Sequence, residues 1–171
     1  MFNVGGSAGK FSIGLRNDTG GTRAVGDVVA VKIANLSADL GSGAATGHEA
    51  DLVNLLANGE GDYNRVASGV VVGKTGATFS VGEEMMVQVY GPVKAKIRLA
   101  AGASTVLYRD MVVSHGNVYL SENGARSNFN SAAETVQGAQ EIRATGLEVV
   151  TNGGAAPADI LGTAYLKWPT V

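Results

Sequence analysis

Four groups of residues have types from which an active site could be built: a Gly-Lys-Thr run, two histidines, a Glu-Glu pair and a row of three cations. The run Gly69-Val70-Val71-Val72-Gly73-Lys74-Thr75 ends like a phosphate-binding loop. Such a loop needs a glycine five positions before its Gly-Lys pair, and a helix after it whose N-terminus receives the phosphate. Ser68 occupies the first position, and Gly76-Ala77-Thr78-Phe79-Ser80-Val81 reads as strand, so the run is a strand and its turn. The histidines are His48 and His115, and no His-Glu-x-x-His pattern is present. A catalytic zinc site takes three protein ligands, more than two separated histidines supply. Ser114 beside His115 is not a nucleophile-base pair by adjacency alone, and no Gly-x-Ser-x-Gly elbow occurs. Glu83 and Glu84 are neighbours, and neighbours on a strand point to opposite faces, so they do not converge on one bond. They are better suited to stabilising a turn or touching a partner. Lys94, Lys96 and Arg98 alternate with Val93, Ala95, Ile97 and Leu99. This is the period of a half-buried strand, with a core face and a positive stripe suited to an acidic partner surface. The expectation is a non-enzymatic chain without metal or cofactor.

Composition narrows the classes further. The chain has 171 residues, 45% of them hydrophobic, a net charge of −2 and no cysteine. That length fits one medium domain able to bury a core. The acidic balance argues against nucleic acid as the main partner, and the absence of cysteine excludes disulfides and thiolate chemistry. The 25 glycines are scattered without period, as in a protein of many tight turns. No apolar run approaches a membrane span, and the first residues lack the layout of a signal peptide. The chain is therefore expected to be made in the cytoplasm. The sequons Asn17-Asp18-Thr19 and Asn35-Leu36-Ser37 are accordingly read as chance matches.

The stretch Val81–Leu99 organises the elements that must position these residues. Gly82-Glu83 opens it as a turn, Met85 to Tyr90 has strand propensity, Gly91-Pro92 bends the chain, and the alternating segment follows. Val25-Gly26-Asp27 before Val28–Ile33 repeats the design of Val81-Gly82-Glu83: a glycine for the turn, an acid to hydrogen-bond its backbone, then a strand. Residues 1–10 read as an N-terminal arm, with Phe2 and Val4 as its apolar contact candidates. Further strands are expected at 11–16, 66–72, 105–114, 118–120, 147–151 and 160–168. Asn17–Gly21, Lys74–Gly76, His115–Asn117 and Asn152–Gly154 read as turns. Thr46 and Glu49 have capping-box spacing before Leu52, Leu55 and Leu56, which predicts a short helix at about 48–57. Ser131 and Glu134 have the same spacing before a second short helix containing Gly138. The whole is expected to be mainly β: residues 11–171 form one compact barrel or sandwich of short antiparallel strands, with an insertion at about 36–64.

With these features in place the chain resembles the small β-rich capsid decoration (cement) proteins of tailed bacteriophages. The likeness is one of pattern over residues 11–168. It comprises Asn17–Gly21 leading into Ala24-Val25-Gly26-Asp27-Val28-Val29, the pair Gly69–Val72 and Val81–Glu83, and Ile142–Val150 followed by Leu161-Gly162-Thr163-Ala164-Tyr165-Leu166. The insertion at 36–64 departs from it. The resemblance implies a structural virion protein that binds the major capsid protein on the outer capsid surface. It also implies homo-oligomers, trimers above all, that stabilise the shell. Phe2, Val4, Glu83, Glu84, Lys94, Lys96 and Arg98 are the partner-contact candidates. The competing reading is a carbohydrate- or receptor-binding β-domain of a head fibre or tail-associated protein.

Overall fold

The computed structural model describes residues 9–32, 49–51, 65–113, 117–122 and 141–167. Eleven strands occur among them: β1 (Phe11–Asn17), β2 (Arg23–Ala24), β3 (Val28–Lys32), β4 (Glu49–Asp51), β5 (Arg65–Val72), β6 (Thr78–Phe79), β7 (Glu84–Leu99), β8 (Asp110–Val113), β9 (Ser121–Glu122), β10 (Glu141–Gly146) and β11 (Ala158–Leu166). Nine of them form one curled, largely antiparallel sheet, and β2 and β6 pair separately. The mainly β expectation holds, and no helix occurs among the described residues.

Everything is arranged along β7, sixteen residues long. Its first half lies between β1, which pairs Arg16 with Glu84 and Ile13 with Val87, and β5, which pairs Val71 with Val87. Its second half pairs along its whole length with β11, from Gly91–Leu166 to Leu99–Ala158. The other side of that half bonds to Gly26 and to the segment before β9: Lys96 N–H donates to the Gly26 carbonyl, and Leu120 exchanges bonds with Lys96 and Arg98. The strand thus changes both neighbours near Gly91-Pro92, where the sequence predicts a bend, without ending there. Gly91 has φ +91°, and a Cβ there would lie 1.9 Å from the Gly9 carbonyl oxygen, so only glycine lets residues 9–10 cross β7. The buried Gln88 side chain donates to the carbonyls of Tyr90 and Pro92 and satisfies the backbone around the bend.

The pairings β1–β4–β3–β5–β7 return to β1, so the first half of β7 belongs to a closed ring of strands. Leu15, Val29, Val71, Met85, Val87 and Val89 fill one core there. The second core gathers Val93, Ala95, Ile97 and Leu99 with Met111, Val113, Leu120, Ala144, Ala164 and Leu166. Because successive strand side chains point to opposite faces, β3 and β5 serve both cores: Val29 and Val71 the first, Val28 and Val70 the second. The predicted alternation in β7 is present, with Val93, Ala95, Ile97 and Leu99 at most 6% exposed and Lys94 on the open side.

The turns before β3 and β7 are built alike. Asp27 N–H and Glu83 N–H donate to the carbonyls three residues back, Gly26 and Gly82 have positive φ, and each acid's carboxylate accepts the N–H of the turn's first residue, Ala24 or Ser80. A second pair of matched devices closes the ends of β7. Asn17, 1% exposed, donates its side-chain amide to the carbonyls of Phe79 and Ser80, and its backbone N–H to Glu83. Asn152, 3% exposed, donates in the same way to Leu99, Ala100 and Ala103. Each amide also reaches the carbonyl four residues on, Gly21 or Ala156, and each side-chain oxygen accepts the N–H two residues on, Thr19 or Gly154.

Three sequence expectations are corrected. Glu49–Asp51, expected in a helix, form β4, because cross-strand bonds to Arg16–Asn17 and Ala30–Lys32 outweigh a local capping signal. The rest of that helix, the second helix before Glu141, most of the arm with Phe2 and Val4, His48 and His115 lie outside the described residues. Residues 105–114 are not one strand, since a turn at Leu107–Tyr108 interrupts them before β8. The strand expected at 147–151 lies earlier, at Glu141–Gly146, with only a Ser104–Thr151 bridge beyond it. Ile97 is fully buried in the second core, so Ile97→Ala is expected to lower stability by about 2–5 kcal/mol, read from chemical denaturation midpoints.

Candidate interaction surface

The three cations of β7 project from its outer face, and each meets a carboxylate of its own chain. Lys94 bonds to Glu148, Lys96 to Asp27, and Arg98 to Asp159, which faces it across the β7–β11 pairing. Arg98 also lies over the Tyr119 ring, 4.2 Å from its centroid. The pairs differ in burial. The Lys94 and Glu148 side chains are 56% and 40% exposed, whereas that of Asp27 is 5% exposed and has Arg23 as a second, more distant cation at 4.0 Å. The positive row read from the sequence is therefore matched, charge by charge, within the chain. Glu83 and Glu84 are exposed and do not converge: Glu83 caps its own turn, and Glu84 begins β7 opposite Arg16. Lys74 and Thr75 lie in an exposed turn followed by the strand β6, not by a helix.

Glu148 also accepts hydrogen bonds from the Thr163 N–H (2.9 Å) and hydroxyl (2.6 Å). Hydrogen bonds from Lys94 and then Thr163 hold its carboxyl well below the ordinary 4.5, at about 2. Nearby on the same face the Tyr165 hydroxyl donates to the Tyr90 hydroxyl at 2.9 Å, and the rings meet edge to face. This bond pushes the Tyr165 hydroxyl above its ordinary 10.0.

Among the described residues eight large apolar side chains are exposed, and five of them gather at one place: Val106, Leu107, Tyr108, Leu147 and Val149. Residues 104–111 run antiparallel to 144–151, paired by the Ser104–Thr151 bridge at one end and by Met111–Ala144 at the other, with the Leu107–Tyr108 turn between. Thr105 N–H donates to the Val150 carbonyl, and these two residues are buried while their neighbours Val106 and Val149 are exposed. The ledge is held from below. Glu122, 6% exposed, accepts the Val106 N–H and pairs with Arg109 at 3.6 Å. The Thr105 hydroxyl donates to the Glu148 carbonyl and accepts the Val150 N–H. Tyr108 N–H donates to the Gly146 carbonyl, and Gly146 N–H to that of Arg109. Gly146 packs closely here, and a Cβ there would lie 2.7 Å from Met111 Cε, so the methionine would have to shift.

Tyr108 has φ +60°, the one described non-glycine residue in the left-handed region. An aromatic residue there is strained by about 1–3 kcal/mol, and its ring is 74% exposed, so no burial of its own offsets the cost. Sequence reading placed these residues inside a strand. The usable signal was three consecutive large apolar residues without alternation, directly after a turn of small residues.

Comparison with protein-family models, curated proteins and solved structures finds no match to this chain.

Two expectations follow from the ion pairs. Lys96→Ala strands the buried Asp27 carboxylate and should cost about 1–3 kcal/mol, against less than about 1 kcal/mol for Lys94→Ala, compared by urea denaturation. This replaces the near-zero effect that an exposed position for Lys96 would imply. For Glu148, the depressed folded value means that its stabilisation is fully present above 4.5 and is lost as pH falls towards 2. Glu148→Gln should accordingly flatten the loss of stability between pH 4.5 and 2, measured by denaturation at stepped pH.

Proposed function

We propose that this chain is a non-enzymatic structural protein of a virion, which binds the major capsid protein on the outer surface of a phage capsid and stabilises the shell. The observation that supports the reading is the set of exposed apolar side chains Val106, Leu107, Tyr108, Leu147 and Val149 on two hydrogen-bonded segments, a surface suited to contact with another protein. Leu107 is 44% and Tyr108 74% exposed, so burying them against a partner would contribute less than the about 1.5–3 kcal/mol each of full burial. That is modest for one copy, and an oligomer multiplies it, because a second and third contact form at high effective concentration. The trimer is the state that the resemblance implies. A ligand that binds only the assembled shell stabilises it by mass action.

One observation favours the second reading. The Tyr108 ring, 74% exposed, is a face on which a sugar could stack, as in a receptor-binding domain.

The test adds the purified protein to undecorated capsids and follows DNA release on heating. Wild type should bind and raise the release temperature. A Leu107→Ser, Tyr108→Gly double variant should lose binding while its own stability changes by less than about 1 kcal/mol, since glycine relieves the strain at position 108. Absence of binding by the wild type, or binding with an unchanged release temperature, overturns the proposal, and a hit on a glycan array then promotes the sugar-binding reading.

A further inference from the structure

The clips at the two ends of β7 share one hydrogen-bonding geometry, and the residue after the asparagine differs between them. Asn17 is followed by Asp18, whereas Asn152 is followed by Gly153. Asparagine before glycine is chemically labile, because nothing on the next residue hinders attack by its backbone nitrogen on the side-chain amide. Folding does not demand that glycine. Gly153 has no positive φ, and a Cβ there would meet nothing within 4 Å. The Asn17 clip closes with an aspartate at the corresponding position.

We propose that Asn152-Gly153 is a conformation-gated deamidation site, closed in the folded chain and released when the clip opens. In the reaction the Gly153 nitrogen loses its proton to solvent base and bonds to Asn152 Cγ. The adduct expels Nδ2, which leaves as ammonia, and forms a succinimide. Water then opens the ring at either carbonyl to give aspartate or isoaspartate, so water is consumed, ammonia is released and no redox partner is needed. The folded clip opposes each step. The departing nitrogen is held by the carbonyls of Leu99 (3.2 Å), Ala100 (3.0 Å) and Ala156 (2.8 Å). Oδ1 is tied to the Gly154 N–H at 3.0 Å, which orients Cγ, and the backbone N–H is fixed to Ala103 at 2.8 Å. At 3% exposure the residue is also shielded from water.

The gate works in one direction. Once deamidated, residue 152 would place a carboxylate against three carbonyl oxygens that had received N–H donors, and isoaspartate would in addition lengthen the main chain. Neither product rebuilds the clip, so a chain that stays open is marked and barred from closing again.

The experiment incubates the full chain in buffer and in concentrated urea at mildly alkaline pH and follows each asparagine by peptide mass mapping. The sequence supplies internal standards in its other two Asn-Gly pairs, Asn58-Gly59 and Asn123-Gly124. In urea Asn152 should convert at the pace of those two, and well ahead of Asn17. In buffer it should convert at least about tenfold more slowly than in urea, because reaction requires opening. Conversion in buffer within tenfold of the urea rate overturns the proposal. Refolding after timed exposure to urea gives a second readout. The yield of wild type should fall with time, and Gly153→Ala, which fits the open space at that position, should hold it. An equal decline in both proteins also overturns the gate.

Discussion

A long strand that crosses two cores leaves peptide groups at each end that turn away from the sheet and still must be satisfied. At both ends of β7 one buried asparagine does this. Its amide takes the carbonyls on which the strand-flanking turn begins, and its own N–H takes the carbonyl on which the turn ends. An unsatisfied buried carbonyl costs about 1–3 kcal/mol, and each asparagine serves several at once. The turns Ser80–Glu83 and Ala100–Ala103 are thereby fixed relative to β7. The positions of β1 and β11, whose pairings start from those ends, follow from them.

Electrostatics and apolar display are divided between neighbouring parts of the surface. Along β7 the cations are used internally, to tie β3, the Glu148 segment and β11 to the central strand. Only the contact with Asp27 is buried enough for loss of its partner to weigh heavily; exposed pairs such as Lys94–Glu148 contribute little by themselves. The ledge at residues 106–108 has the opposite character. Its polar groups are turned inward to Glu122, Gly146 and Glu148, and its side chains face solvent.

Local physics made much of the fold legible. The alternation from Val93 to Leu99 is a two-residue period that only a half-buried strand satisfies, and the Gly-acid turns announced themselves because a positive φ asks for glycine. The insertion at Glu49–Asp51 misled because a capping box is a local preference, and pairing with β1 and β3 is not local. The partners of Lys94, Lys96 and Arg98 lie far along the chain, so spacing could not reveal that the stripe is neutralised. The same holds for the asparagines, which looked like ordinary turn residues because the carbonyls they hold belong to distant turns. Tyr108 was hidden for a different reason: an aromatic residue after two apolar ones reads as strand, and nothing in its type announces a left-handed backbone.

The neighbours of β7 are divided by chain order as well as by position. Both strands that flank its first half, β1 and β5, precede it, whereas β11, which pairs along its second half, follows it, as does the segment around Leu120 that shares the other side with Gly26. On a ribosome the first ring can therefore close soon after Tyr90 emerges, while the edge of Val93–Leu99 that pairs with β11 stays open until β11 is made. At about 5–20 residues per second that interval is roughly 3–13 s. The nascent chain thus passes through a stage in which a finished half carries an unfinished, adhesive edge.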